Sequence, residues 1–176
     1  MKKVLVIGSS GAGKSTFARR LHAATGLKLI HLDKLYWKPD WIETTDKAEW
    51  RKTLAQVLKG EEWIIDGNYS STMEMRLQAS DTAILLDLPN YICTWRVLKR
   101  FVFYRKRKRP DMAEGCHERF DWEFLKWTWN YPKRSKPKVE ERLKRFGREK
   151  TIIRLKSNKD IDNFFVNLKS NEIKST

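Results

Sequence analysis

Short runs of branched apolar residues alternate along this chain with stretches whose apolar positions recur every three or four residues. Val4-Leu-Val-Ile7 is such a run and stops at Gly8. Because it is apolar throughout rather than alternating, it reads as a strand covered on both faces. Leu29–His31, Trp63–Ile65, Ala83–Leu86 and Thr151–Leu155 repeat the signal. Between them lie helical stretches. One runs from Lys14 to about Ala24 and breaks at Gly26. Another is capped by Asp46, places Trp50, Leu54, Val57 and Leu58 on one face, and ends at Gly60. Residues 91–104 and Asp160 to about Lys169 supply two more. Strand and helix in alternation predict an α/β fold: a five-stranded parallel sheet with helices on both faces, in one domain over residues 1–176.

Residues 87–150 depart from this alternation, with no strand pattern. Phe120, Phe124, Trp127 and Tyr131 fit one helical face, and Trp122, Leu125 and Trp129 fit another. A helix apolar on two sides lies deep in a core or offers one side to a ligand. The segment at about 100–135 therefore reads as a helical lid over the carboxyl ends of the strands. Charge concentrates in the same region. The chain has 37 Lys and Arg against 22 Asp and Glu, net +15, and residues 94–150 alone hold +11. Such a surplus points to a polyanion, either nucleotide phosphates or nucleic acid. Arg105-Lys-Arg-Lys-Arg109, near several aromatic residues, is the sharpest part of it.

The chemistry sits after the first strand. Gly8-Ser9-Ser10-Gly11-Ala12-Gly13-Lys14-Ser15 fits GxxxxGK[ST], between a strand and a helix as that motif requires. Glycines let the backbone N–H groups wrap a phosphate, and the helix N-terminus adds its positive dipole. Lys14 is the candidate for the β- and γ-phosphates, Ser15 for Mg²⁺, and Thr16 completes the loop. Asp33, Asp66 and Asp87 fall at or just after carboxyl ends of predicted strands, where open parallel sheets bind ligands. No apolar run is long enough for a membrane span and no signal peptide is evident, so a cytoplasmic protein is expected. Two cysteines, Cys93 and Cys116, make no disulfide framework.

The phosphate loop, Trp63-Ile-Ile-Asp66-Gly67 and Arg96-Val-Leu-Lys-Arg100 together resemble the adenylate-kinase-related group of P-loop NTPases. His31-Leu-Asp33-Lys-Leu-Tyr-Trp37, Asp66-Gly-Asn-Tyr69 and the Trp-rich lid are similar to its subgroup labelled DNA topology modulation protein. The resemblance implies a kinase that uses ATP and Mg²⁺. Lys14, Arg96 and Arg100 then act on the phosphates, Asp66 on the magnesium shell, and Asp33 beside the acceptor hydroxyl. Trp37, Trp41 and Tyr69 are candidates to line the acceptor pocket. After Asp66-Gly67 this chain reads Asn-Tyr-Ser where adenylate kinases have Phe-Pro-Arg, so their monophosphate-binding arginine is missing. Arg76, on the next helix, is the candidate replacement, and Arg134 is a further candidate for the acceptor pocket. The expected partners are a nucleoside triphosphate and a small-molecule acceptor. The alternative is nucleotide-dependent binding of DNA through residues 94–150.

Overall fold

A computed structural model describes residues 1–43, 46–104, 110–116 and 119–173. In chain order the elements are β1 (Lys3–Gly8), α1 (Lys14–Thr25), β2 (Leu29–His31), α2 (Leu32–Tyr36), β3 (Trp37–Lys38), β4 (Ile42–Glu43) and α3 (Lys47–Leu58). They continue with β5 (Trp63–Asp66), α4 (Met73–Ala79), β6 (Thr82–Leu86), α5 (Asn90–Tyr104) and α6 (Trp122–Arg134). The chain then runs through α7 (Lys136–Phe146), β7 (Thr151–Leu155) and α8 (Asn158–Ile173).

Five strands form one parallel sheet in the order β2-β5-β1-β6-β7, which puts β1 at its centre. Each of the five expected strands is present. Val4 to Ile7 are completely buried, and their alternation divides the core. Val4 and Val6 face a cluster with Phe17, Leu21 and Phe165 from α1 and α8. Leu5 and Ile7 face Leu54, Met73, Val139 and Leu143 from α3, α4 and α7. The sheet is thus covered on both sides, which is why its strands are apolar without alternation. Asp46 caps α3 as expected, accepting from the Ala48 and Glu49 amides at 2.7 and 2.8 Å.

Three features were not anticipated. A two-stranded antiparallel ribbon, β3 with β4, follows α2; elements of two residues leave no periodicity to read. The second helix of the insertion, α7, contributes to the core beneath the sheet. The first, α6, uses its faces differently from the sequence pattern. Leu125, Thr128 and Tyr131 are buried, whereas Trp122 and Trp129 are 66% and 52% exposed.

Candidate active site

The carboxyl ends of β1, β2 and β5 open into a cleft of about 600 Å³, a size suited to small-molecule ligands. One end is the turn between β1 and α1. Gly11 and Gly13 have φ of 75° and 92°, values that favour glycine. Gly11 is doubly constrained, because a Cβ there would run into the Cys93 carbonyl at the start of α5. Ser10, Gly11, Gly13, Lys14, Ser15 and Thr16 line the cleft, while Gly8, Ser9 and Ala12 do not. Those three build the loop from behind: Ser9 and Ala12 are buried, and Gly8 exchanges hydrogen bonds with Asn68. Lys14 Nζ donates to the Ser9 carbonyl at 2.9 Å. Burial pulls its ammonium below the usual lysine range, while Asp33 and Asp66 oppose that pull.

Three arginines join Lys14. Arg96 lies over Gly13 and donates to Asn158 at 2.9 Å. Arg100 sits 5.9 Å from the Phe124 ring and close enough to Lys14 to disfavour its charge. Arg19 was missed by the sequence reading. It lies four residues after Ser15 and three after Thr16, so helical spacing returns it to the cleft face of α1. Its Nη1 is buried without a hydrogen-bond partner, and its Nη2 is 3.5 Å from the Thr16 hydroxyl. Buried guanidinium nitrogens are rarely left so, and an ordered water or a bound anion is the usual partner.

Asp66 ends β5 opposite His31 in the β2–β5 register, and His31 Nδ1 is 2.7 Å from Asp66 Oδ1. Both are buried. A neighbour of this kind fixes the orientation of a metal-binding carboxylate. His31 was not singled out as a site residue, because only the strand order β2-β5 brings it beside Asp66. Among the described residues, no three His, Cys, Asp or Glu side chains gather as a metal cage. Ser15 and Asp66 still fit Mg²⁺, which is usually held by one or two protein oxygens and the phosphates of its nucleotide.

Asp33, on α2, faces the same cleft and accepts the Tyr69 hydroxyl at 2.7 Å. Burial and the Asp33 carboxylate push the Tyr69 hydroxyl far above its usual range, so it remains a donor. Trp37, Trp41, Tyr104, Asp111, Met112, Phe124 and Trp127 also line the cleft. The run Arg105–Arg109 and His117 lie outside the described residues.

Two expected pocket residues are elsewhere. Arg76 is completely buried and does not line the cleft. It donates to the carbonyls of Gly67, Asn68, Tyr69 and Thr72 at 2.7–3.3 Å, holding the loop after β5 from behind. Burial works against its charge, and four carbonyl oxygens offset that. Arg134, at the end of α6, is exposed and outside the cleft, because Leu125, Thr128 and Tyr131 take the inward face of that helix. Asp87, the third strand-end carboxylate, pairs with Lys136 at 2.7 Å. Cys116 donates to the Lys38 carbonyl at 3.1 Å. Among the described residues, no helix is long and apolar enough to cross a membrane.

No family model matches the chain, and no curated protein matches it in sequence. Solved structures do match. Deoxyadenosine kinase from M. mycoides with bound dATP is 16% identical, at a TM-score of 0.52 over 96% of this chain and 100% of that one. Shikimate kinase from Acinetobacter baumannii in complex with shikimate is 14% identical, at a TM-score of 0.59 over 97% and 94%. With its parallel sheet, flanking helices and glycine-rich first turn, this chain has the P-loop kinase fold.

Proposed function

We propose that this protein is an ATP-dependent phosphotransferase that moves the γ-phosphoryl group onto the hydroxyl of a small molecule. One observation carries the reading: four cations, Lys14, Arg19, Arg96 and Arg100, share one cleft with the carboxylates of Asp33, Asp66 and Asp111. Phosphoryl transfer depends on positioning and charge stabilisation, which is what this set of side chains supplies. Lys14 and the loop amides bind the β- and γ-phosphates, and Arg19 adds a guanidinium whose Nη1 has no hydrogen-bond partner, beside Ser15 and Thr16. Ser15 and Asp66 would hold Mg²⁺, which would supply neutralisation of phosphate charge when bound. His31 orients Asp66. Arg96 and Arg100 stabilise the charge of the transferring group.

Asp33 orients the acceptor hydroxyl and receives its proton. As the new oxygen–phosphorus bond forms, the bond from γ-phosphorus to the bridging oxygen breaks and ADP leaves. The insertion at about 100–135 serves as the lid of a single kinase domain. The deoxyadenosine and shikimate kinase neighbours support the reaction class, since both are named as kinases of small molecules. The test is ADP release from ATP and Mg²⁺ across a panel of nucleosides, nucleotides and hydroxylated metabolites, with Lys14→Ala as control. Release that requires one added acceptor and disappears in the control is expected. No acceptor-dependent release from any compound, or equal release by the control, overturns the reading.

A second reading, nucleotide-dependent binding of nucleic acid, draws on the outer faces of α5 and α6. Trp95, Trp122 and Trp129 are exposed there, as are Lys99, Lys126 and Lys133. Aromatic side chains among lysines suit stacked bases and phosphates. Affinity for short single-stranded DNA that falls by decades between about 50 and 200 mM salt supports it. Its absence removes it.

A further inference from the structure

Strand β5 runs out at the cleft, and Asp66, Gly67, Asn68 and Tyr69 all line it. The backbone pairing of β1 with β5 ends at Val6 opposite Asp66. Two residues further on, Gly8 meets Asn68, and a side chain continues the ladder. Asn68 Oδ1 accepts the Gly8 amide at 3.1 Å, and Asn68 Nδ2 donates to the Gly8 carbonyl at 2.6 Å. A peptide N–H can only donate and a carbonyl can only accept, so this reciprocal pair fixes which way the Asn68 amide points. Gly8 is the first residue of the phosphate loop.

Tyr69 reaches a different target. Its hydroxyl donates to Asp33 Oδ1 at 2.7 Å. Its ring packs on Tyr36 and the buried Trp50, with centroids 4.7 and 5.6 Å away. Its backbone is strained, with φ 20° and ψ 81°. Strain of this kind persists where surrounding contacts over-determine it, and it clusters at functional sites. Here the holding contacts converge on one side chain. Arg76 Nη2 donates to the Asn68 carbonyl at 2.7 Å and to the Tyr69 carbonyl at 2.9 Å, while Nη1 takes Gly67 at 2.8 Å. Successive carbonyls of an extended strand point to opposite sides. Three in a row can meet one guanidinium only on a turned backbone, which the positive φ of Gly67 and Tyr69 provides.

Resting on the phosphotransferase reading, we infer that Asn68 and Tyr69 are paired positioning residues: Asn68 acts through Gly8 on the phosphate loop, Tyr69 acts through Asp33 on the acceptor hydroxyl, and Arg76 keeps the two in register. Transfer requires the donor phosphorus and the acceptor oxygen at a set separation, and a misplacement of about 1 Å is costly. Neighbouring residues on a turn locked by a buried guanidinium supply such a spacer. Tyr69 exchanges no proton in the transfer, since burial and Asp33 hold its hydroxyl far above the usual range.

The test uses the full chain and three readouts. These are affinity for a non-hydrolysable ATP analogue with Mg²⁺, the carboxyl carbon NMR signal of Asp33 without nucleotide, and kcat and KM with the panel compound that gives the fastest ADP release. Asn68→Ala should weaken the analogue by about tenfold and leave the Asp33 signal in place. Tyr69→Phe keeps the ring and loses the hydroxyl. It should shift the Asp33 signal and lower kcat by about tenfold, with the acceptor KM and the analogue affinity little changed. Arg76→Met should move both the analogue affinity and the Asp33 signal. If that variant does not fold, the other two decide, with their thermal midpoints as the check on folding. Full kcat or an unmoved Asp33 signal in Tyr69→Phe overturns the inference, as does full analogue affinity in Asn68→Ala. No acceptor-dependent ADP release from the unaltered chain defeats the phosphotransferase reading instead. The two failures are told apart because the analogue and NMR readouts need no acceptor.

Discussion

The two ends of the cleft are built in different ways. The proposed phosphate end comes mostly from one contiguous segment, Ser10 to Arg19, with Arg96 and Arg100 from one helix. The proposed acceptor end is assembled from α2 and the ribbon after it, the loop after β5, residues 111–112 and α6. The first presents backbone amides and fixed cations, the second aromatic planes and carboxylates. A contiguous loop at a helix N-terminus gives a general answer to binding phosphate. Selecting one acceptor needs surfaces that only long-range packing can bring together.

Several substitutions would break or sharpen this contrast. Lys14→Ala should abolish ATP turnover, by roughly 10³-fold or more, with an unchanged circular dichroism spectrum, since the side chain serves phosphate rather than the core. Near-normal turnover would remove the phosphate end from the proposal.

Asp66→Asn and Asp33→Asn should separate the ends, each slowing transfer by about 10²-fold. Asp66→Asn should also raise the Mg²⁺ concentration needed for half-maximal rate. Asp33→Asn should leave ATP affinity intact, measured by equilibrium titration. Equal loss of ATP binding in both would place Asp33 with the phosphates.

Arg76→Met strands four carbonyls in the interior. A loss of about 3 kcal/mol in denaturant unfolding is expected, with the acceptor KM rising more than the ATP KM. An unchanged midpoint would mean that the loop after β5 holds its shape without the guanidinium.

Arg19→Met has a signature that a structural arginine lacks. Removing a guanidinium whose Nη1 is buried without a partner should raise the melting temperature of the ligand-free protein, by about 1 kcal/mol in stability, and shrink the stabilisation given by ATP. A lower ligand-free melting temperature with a full ATP response would make Arg19 structural. Arg134→Ala is the smallest case: stability within about 0.5 kcal/mol and unchanged kinetics are expected from an exposed side chain outside the cleft. A large kinetic effect would return Arg134 to the site.

How far the site was legible follows the same division. All five strands, the α3 cap at Asp46 and the phosphate loop could be read directly, since each is a pattern in neighbouring residues. Arg19 lay within reach of the same reasoning, because its spacing from Ser15 and Thr16 is helical. His31 beside Asp66 needed the β2–β5 register, and Asn68 on Gly8 needed two strand ends side by side. Helix α6 shows the limit most clearly. Its two apolar faces were visible, but not that Phe124 and Trp127 would line a cleft while Trp122 and Trp129 faced solvent.

The sequence by itself determined the α/β class, the buried first strand and the glycine-rich turn after it, because period, turn residues and helix start act over a few positions. Only the tertiary structure decided that Arg76 turns inward to four carbonyls, that Arg134 stays outside, and that Trp37, Trp41, Phe124 and Trp127 share a cavity. The physical reason is that an arginine or tryptophan on a helix or loop has no intrinsic direction. Its place is set by whichever distant carbonyl, ring or void the packed chain brings within reach, and that partner is absent from its own neighbourhood in sequence.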